Sequence, residues 1–155
     1  VRPGTRLGDI GAIVERHART HGFSVVREYS GHGIGTVFHE GPRVLHFGRA
    51  GTGVELKAGM TLTIEPMLNE KGSAVRVLAD QWTVITADGG WSAQWEHTVL
   101  VTDTGCEVLT VRQGEQAPDT VPMSLPRHNV SFAELQRVRR ELIAGEHDGD
   151  GGQSG

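Results

Sequence analysis

The stretch GHGIGTVFHEGP, residues 31–42, places three glycines within five positions. His32 lies between the first two of them and His39 follows the third, and each imidazole can take up a proton or bind a metal. Glycine has no Cβ, so we expect the backbone to approach a bound ligand closely here, and an imidazole between glycines to be presented without crowding. We expect the segment to lie between strands. On composition alone it is a candidate phosphate loop, a candidate metal site or a plain glycine-rich turn.

The phosphate interpretation of this segment fails on spacing. A dinucleotide fingerprint needs a third glycine one position after Gly35, followed directly by a helix, and no helical pattern follows here. A Walker loop needs Gly-Lys-Ser/Thr, and the segment contains no lysine. A metal site and a structural turn therefore remain open.

The elements around this segment predict an α+β fold. Leu7, Ile10, Ile13, Val14 and Ala18 recur at helical spacing, with Gly22 at a left-handed C-cap position. Segments rich in β-branched and aromatic residues then predict mostly antiparallel strands, including a hairpin around Ala79–Asp80. The predicted strands are 23–29, 60–68, 74–78, 81–87, 92–103 and 106–112.

Composition limits the class of protein and suggests two regions. The net charge of −4 and the single Cys106 indicate neither a nucleic-acid surface nor a disulfide framework, and a cytoplasmic location is expected. No apolar run approaches the ~20 residues needed to span a bilayer, so no membrane partner is predicted. We expect one folded domain at 1–112, and at 113–155 a proline-rich linker, a short helix and a disordered tail.

Two glutamates in predicted strands point to a metal. Strand alternation places Thr61, Thr63 and Glu65 on one face of the first strand, and Gln94, Glu96 and Thr98 on one face of the other. Carboxylates in central strands need a cation or metal as partner. Together with His32 they suit Zn, Mn, Fe or Co, while the absence of paired cysteines disfavours a structural zinc site. A solvated sheet face for both glutamates stays equally open.

Other histidines have simpler interpretations. His46 stands in the apolar run VLHF and is expected to be a buried, hydrogen-bonded core residue. His97 follows Glu96 on the opposite face of the strand, which favours packing.

The segments EYSGHGIGTVFHEGPRVLH, LKAGMTLTIEPML and DQWTVITADGGWSAQWEHTVLVTDTGCEVLT together resemble the C-terminal half of a type I methionine aminopeptidase. The resemblance covers about residues 1–112, in order. It implies the pita-bread fold, two pseudo-symmetric α+β halves around a dinuclear metal centre. It also implies removal of the initiator methionine from nascent chains, by attack of a metal-held hydroxide on the methionyl peptide bond.

The same resemblance implies roles for individual residues. His32, Glu65 and Glu96 match metal ligands, Glu96 being the one that bridges two divalent ions (Mn, Fe, Co or Zn), and Glu65 also matches the group that takes the water's proton. His39 matches the histidine that contacts the substrate near the scissile amide. Phe38 and Trp82 match the pocket for the methionine side chain. Trp95 stands where the family usually has tyrosine.

The resemblance leaves part of the site unaccounted for. The family also uses two aspartate ligands and another histidine, all upstream of the matched region, so the chain is expected to be a fragment that lacks an N-terminal half. The expected substrate is a peptide or nascent chain that begins with methionine. The alternatives are a prolidase or Xaa-Pro aminopeptidase of the same fold, and an inactive pita-bread binding module.

Overall fold

The structure, a computed structural model, describes residues 1–115. It contains one α-helix in this range, α1 (Leu7–Thr20), which begins after Arg6 and ends before Gly22, whose φ of 80° is the predicted left-handed position. Ten short strands follow: β1 (Ser24–Val25), β2 (Gly31–Gly33), β3 (Glu40–Val44), β4 (Thr61–Ile64), β5 (Met67–Asn69), β6 (Val75–Val77), β7 (Val84–Thr86), β8 (Ser92–Gln94), β9 (His97–Val101) and β10 (Cys106–Val108).

The strands form three antiparallel sheets within the described residues. The largest has the order β10-β9-β4-β2-β3, the second β1-β5-β8, and β6 pairs with β7 as the predicted hairpin. The α+β prediction with mostly antiparallel strands is thus confirmed. The predicted strand 23–29 is shorter than expected, since only Ser24–Val25 pairs, with β5.

Two of the predicted strands are interrupted, and the prediction of continuous strands at 60–68 and 92–103 is wrong. The first breaks at Glu65–Pro66 between β4 and β5, because proline cannot donate to a ladder. The second breaks at Trp95–Glu96 between β8 and β9. At each break the chain leaves the five-stranded sheet for the three-stranded one or the reverse.

The register is the same on both sides of these breaks. Ile64 pairs with His97 in one sheet, and Met67 pairs with Gln94 in the other. The two-stranded ribbon therefore continues across the gap, with Glu65 opposite Glu96. Both carboxylates stand at the seam between two sheets, where the ladder is open.

The core lies where α1 meets the five-stranded sheet. Its buried members come from the helix, from β3, β4 and β9, and from the loop before β4: Leu7, Ile10, Val44, Leu56, Leu62, Val99 and Val101. The opposite side of β4 and β9 carries polar residues, among them Thr63, which pairs with Thr98. The alternation along the central strands thus separates the core from the polar residues as predicted.

The glycines beside His32 have a different role from the one expected. A Cβ on Gly31 would lie 2.3 Å from the carbonyl oxygen of Thr63, and one on Gly33 would lie 2.3 Å from that of Gly41. The missing side chains at Gly31 and Gly33 make room for the backbones of the adjacent segments and not for a ligand. The close approach fixes β2 between β3 and β4 and so determines where the His32 imidazole lies.

No helix within residues 1–115 is long and apolar enough to cross a membrane. The proposed linker, short helix and tail lie almost wholly outside the described residues, so the boundary at 112 stays a prediction.

Candidate metal centre

The structure brings together His32, Glu65 and Glu96, the residues that the sequence predicts as metal ligands. One ligand atom from each lies within 4.8 Å of the others. His32 Nε2 and Glu65 Oε1 are 3.5 Å apart, and their side chains are 12% and 17% exposed. Glu96 is exposed at the open end of the seam. The three residues come from three segments that only the sheet pairing makes neighbours.

The imidazole of His32 is oriented for coordination through Nε2. Its Nδ1 lies 2.9 Å from the carbonyl oxygen of Gly33. A carbonyl only accepts hydrogen bonds, so Nδ1 carries a proton, and in the neutral imidazole the lone pair is on Nε2. That nitrogen is the one that faces Glu65.

Glu65 is held at both its side chain and its backbone. The hydroxyl of Thr63 donates to Glu65 Oε1 over 2.7 Å. The backbone N–H of Glu65 donates to His46 Nε2 over 3.1 Å, which supplies the partner that the strand ladder does not provide at the break. The carboxylate therefore extends from a backbone fixed in place.

His46 confirms the prediction of a buried, hydrogen-bonded core histidine, since only 2% of it is exposed. Burial lowers the pKa of His46 from 6.5 to about 4, so the ring is neutral at neutral pH and its Nε2 can accept. The apolar context of VLHF predicted the burial. Sequence reasoning missed its contact with Glu65, because nothing in the spacing of the two residues indicates it.

His39 and Phe38 lie beside the proposed ligands, on the loop that follows β2. The ring centroids of His39 and His32 are 4.3 Å apart. The centroid of the Phe38 ring lies 4.6 Å from that of His39 and 5.8 Å from that of His32. Both residues are exposed, Phe38 to 66%. An imidazole and an apolar ring thus lie beside the His32 ring.

Trp82 is the predicted site residue that the structure does not bring to this cluster. It lies in the loop between β6 and β7, with 87% of its surface exposed. The Asp80 carboxylate accepts from the backbone N–H groups of Trp82 and Thr83, which fixes the loop. Among residues 1–115 the structure records no ring contact between Trp82 and either His39 or Phe38. Its predicted role as a pocket residue stays a prediction.

The two residues that flank Glu96 contact each other and the segment that follows β10. The indole N–H of Trp95 donates to His97 Nε2 over 3.1 Å, and His97 Nδ1 lies 3.0 Å from the hydroxyl of Thr110. The Arg112 guanidinium lies 4.0 Å above the Trp95 ring. The predicted packing role of His97 agrees with these contacts. An open concavity of about 300 Å³ lies here, lined by Gln94, Trp95, Glu96, His97, Thr110 and Arg112.

The donor set suits a divalent ion of intermediate softness. Two carboxylates and one imidazole nitrogen are ligands of Zn, Mn, Fe and Co, and they offer no thiolate. His32 and Glu65 also have hydrogen-bond partners, the carbonyl of Gly33 for His32 and the Thr63 hydroxyl for Glu65. The residues present therefore fit the metal centre that the resemblance implies.

Comparison with known proteins identifies the family. The model of metallopeptidase family M24 matches residues 1–103. Over 118 residues the chain is 54% identical to the methionine aminopeptidase of Salmonella typhimurium, an alignment that takes in 76% of this chain and 45% of that protein. The chain thus spans less than half the length of this relative.

Solved structures agree with the sequence match. The crystal structure of methionine aminopeptidase from Rickettsia prowazekii superposes with a TM-score of 0.71 at 51% identity, over 72% of this chain and 45% of that one. The prolidase from Pyrococcus furiosus superposes with a TM-score of 0.52 at 26% identity, over 73% of this chain and 28% of that one. These similarities confirm the expected pita-bread fold and the resemblance to the methionine enzymes. The chain belongs to metallopeptidase family M24.

Proposed function

We propose that this protein acts as a metal-dependent aminopeptidase that removes the initiator methionine from nascent polypeptides. The observation that carries the proposal is the juxtaposition of His32, Glu65 and Glu96 within 4.8 Å of one another, with the His39 ring 4.3 Å from that of His32. The higher identity to methionine aminopeptidases than to prolidase favours methionine over proline specificity. Since the chain spans less than half of its relatives, activity, substrate and partners are part of the proposal.

His32, Glu65 and Glu96 would hold the metal as its ligands. Two divalent ions, when bound, supply a Lewis acid and lower the pKa of water toward neutrality. Glu65 would also accept the proton of the water that attacks the methionyl carbonyl. Its fixed backbone and its bond to Thr63 hold the carboxylate in one place for that transfer.

His39 and the aromatic residues would handle the substrate. His39 is exposed beside the ligands, so its ring can donate a hydrogen bond near the scissile amide and stabilise the developing charge. Phe38 would supply an apolar wall for the thioether, and Trp82 would join it from the β6–β7 loop. Exposure of these large apolar surfaces is consistent with residues that cover a substrate.

The expected partner is therefore a peptide or nascent chain with an N-terminal methionine. A cytoplasmic location belongs to the same proposal, and the single unpaired cysteine supports it. An N-terminal half that supplies the remaining ligands is also proposed, as the resemblance implies.

The test is methionine release from a Met-Gly peptide by the purified 155-residue chain, with Mn²⁺ or Co²⁺ supplied. Glu96→Gln is the site variant. Glu107→Gln is the matched control, because Glu107 is exposed on β10 and outside the proposed ligand set. Release that Glu96→Gln abolishes and Glu107→Gln retains supports the proposal. Cleavage of an Xaa-Pro peptide instead would favour the prolidase alternative. A folded chain that binds no metal would favour the binding module, whereas a chain that binds metal but releases no methionine would mean that activity needs the proposed N-terminal half.

A further inference from the structure

Thr63 lies between two of the proposed metal ligands and contacts both. Its side chain is completely buried, at 0% exposure, in β4 next to β2. The backbone N–H of His32 donates to the Thr63 hydroxyl over 3.0 Å, and that hydroxyl lies 2.7 Å from Glu65 Oε1. A single hydroxyl therefore links the segment of one ligand to the carboxylate of another.

The direction of these bonds follows from the atoms involved. A backbone N–H can only donate, so the Thr63 oxygen accepts from His32. The hydroxyl proton then has two acceptors within reach, Glu65 Oε1 at 2.7 Å and the His32 carbonyl oxygen at 3.5 Å. The shorter bond is the stronger one. The proton therefore points at Glu65.

This bond restricts how the Glu65 carboxylate can turn. Oε1 accepts from Thr63 and also faces His32 Nε2 at 3.5 Å. Thr63 is itself β-branched, buried and paired with Thr98 across the sheet, so its own rotamer is fixed. Partners of this kind orient metal ligands before the ion arrives.

We propose that Thr63 is a positioning residue of the metal centre, and that its hydroxyl holds the Glu65 carboxylate and the His32 backbone in the arrangement that binds the ion. The inference rests on the metal-binding part of the proposed function but not on its substrate. Removal of the hydroxyl weakens metal binding by a larger factor than a threonine-to-valine change elsewhere in the same strand.

Thr61 provides the matched control for this comparison. It is in the same strand, β4, and its hydroxyl donates to the carbonyl oxygen of Ile34, outside the proposed ligand set. Thr61→Val thus removes one side-chain hydrogen bond of similar burial without touching a ligand. Any general loss of strand stability appears in both variants.

The experiment measures Mn²⁺ affinity of the full chain by isothermal titration calorimetry, alongside unfolding in urea without metal. For Thr63→Val we expect affinity ~10–100-fold weaker than wild type, the usual effect of losing a partner of a ligand. Thr61→Val and the conservative Thr63→Ser should bind within about threefold of wild type, since neither loses a hydroxyl next to Glu65. Visible absorption of bound Co²⁺ should change in Thr63→Val and return in Thr63→Ser.

Several outcomes overturn the inference. They are native affinity in Thr63→Val, an equal loss in Thr61→Val, or a loss in Thr63→Ser as large as that in Thr63→Val. If Thr63→Val does not fold, Thr63→Ala replaces it, and Thr63→Ser must still bind normally. A wild-type chain that binds no Mn²⁺ or Co²⁺ also overturns it. A chain that binds metal through Thr63 but releases no methionine supports this inference and contradicts only methionine release by this chain on its own.

Discussion

Glu65 and Glu96 lie opposite each other at the one place where the ribbon formed by β4–β5 and β9–β8 changes sheets among the described residues. The pairing register is unbroken on either side, while the ladder is open between Ile64 and Met67. The break turns both carboxylates toward the same space beside His32 without burying them unpaired. Sheet geometry thereby assembles the candidate centre.

Replacing Glu96 should remove metal from the centre. Glu96→Gln replaces the carboxylate opposite Glu65 by a neutral amide, which is a poor ligand for a hard divalent ion. We expect bound Mn²⁺, measured by elemental analysis after dialysis, to fall to the level of a blank. Glu107→Gln should keep wild-type metal content. Equal metal content in Glu96→Gln and wild type would rule out Glu96 as a ligand.

Replacing His39 should reduce turnover but not metal binding. Its ring neighbours His32 but is absent from the group of proposed ligands. Loss of one donor to the developing charge costs about 10²–10³ in kcat. Steady-state cleavage of a Met-Gly peptide by His39→Ala, with Mn²⁺ affinity measured in parallel, checks this. His17→Ala, on the exposed face of α1, is the control. If His39→Ala also lost the metal, His39 would be a ligand instead.

His46 should make the stability of the fold depend on pH. The unfolded chain takes up a proton near pH 6.5, whereas the folded chain does so only near pH 4, because burial disfavours the charged ring. The unfolded state thus binds more protons between these values, and the free energy of unfolding falls as pH drops from 6.5 to 4. The full loss from this group is about 3 kcal/mol.

Urea denaturation of the metal-free chain from pH 7 to pH 4 measures this loss. His46→Gln keeps an acceptor for the Glu65 N–H without titrating, so its stability should change less over the same range. An identical pH dependence in wild type and His46→Gln would show that other groups are responsible.

Gly31 should not tolerate a side chain. A Cβ there would meet the Thr63 carbonyl oxygen at 2.3 Å, so β2 and β4 would have to separate. We expect Gly31→Ala to lower the free energy of unfolding by about 3 kcal/mol through overpacking. Urea denaturation checks this against Gly105→Ala, where the nearest atom lies at 4.0 Å. A neutral Gly31→Ala would mean that the strands can move apart freely.

The sequence predicted the type of fold and the membership of the candidate centre. Alternating residues in the segments around Thr63 and Glu96 indicated antiparallel strands with one polar face, because strand side chains alternate strictly. The flanking glycines singled out His32, and the family resemblance assigned His39 and Phe38. These are local features, and each can be read from neighbouring residues.

Only the tertiary structure decided how those residues meet. The breaks after Ile64 and before His97 interrupt what look like continuous strands, and they place two glutamates distant in sequence opposite each other. The contact of His46 with Glu65 and that of Thr63 with the His32 backbone likewise join segments that are distant in sequence. Strand pairing depends on residues that are distant in sequence, because it is set by burial of the apolar side of β4 and β9 against α1. The spacing of residues within one segment therefore does not indicate which other segment it pairs with.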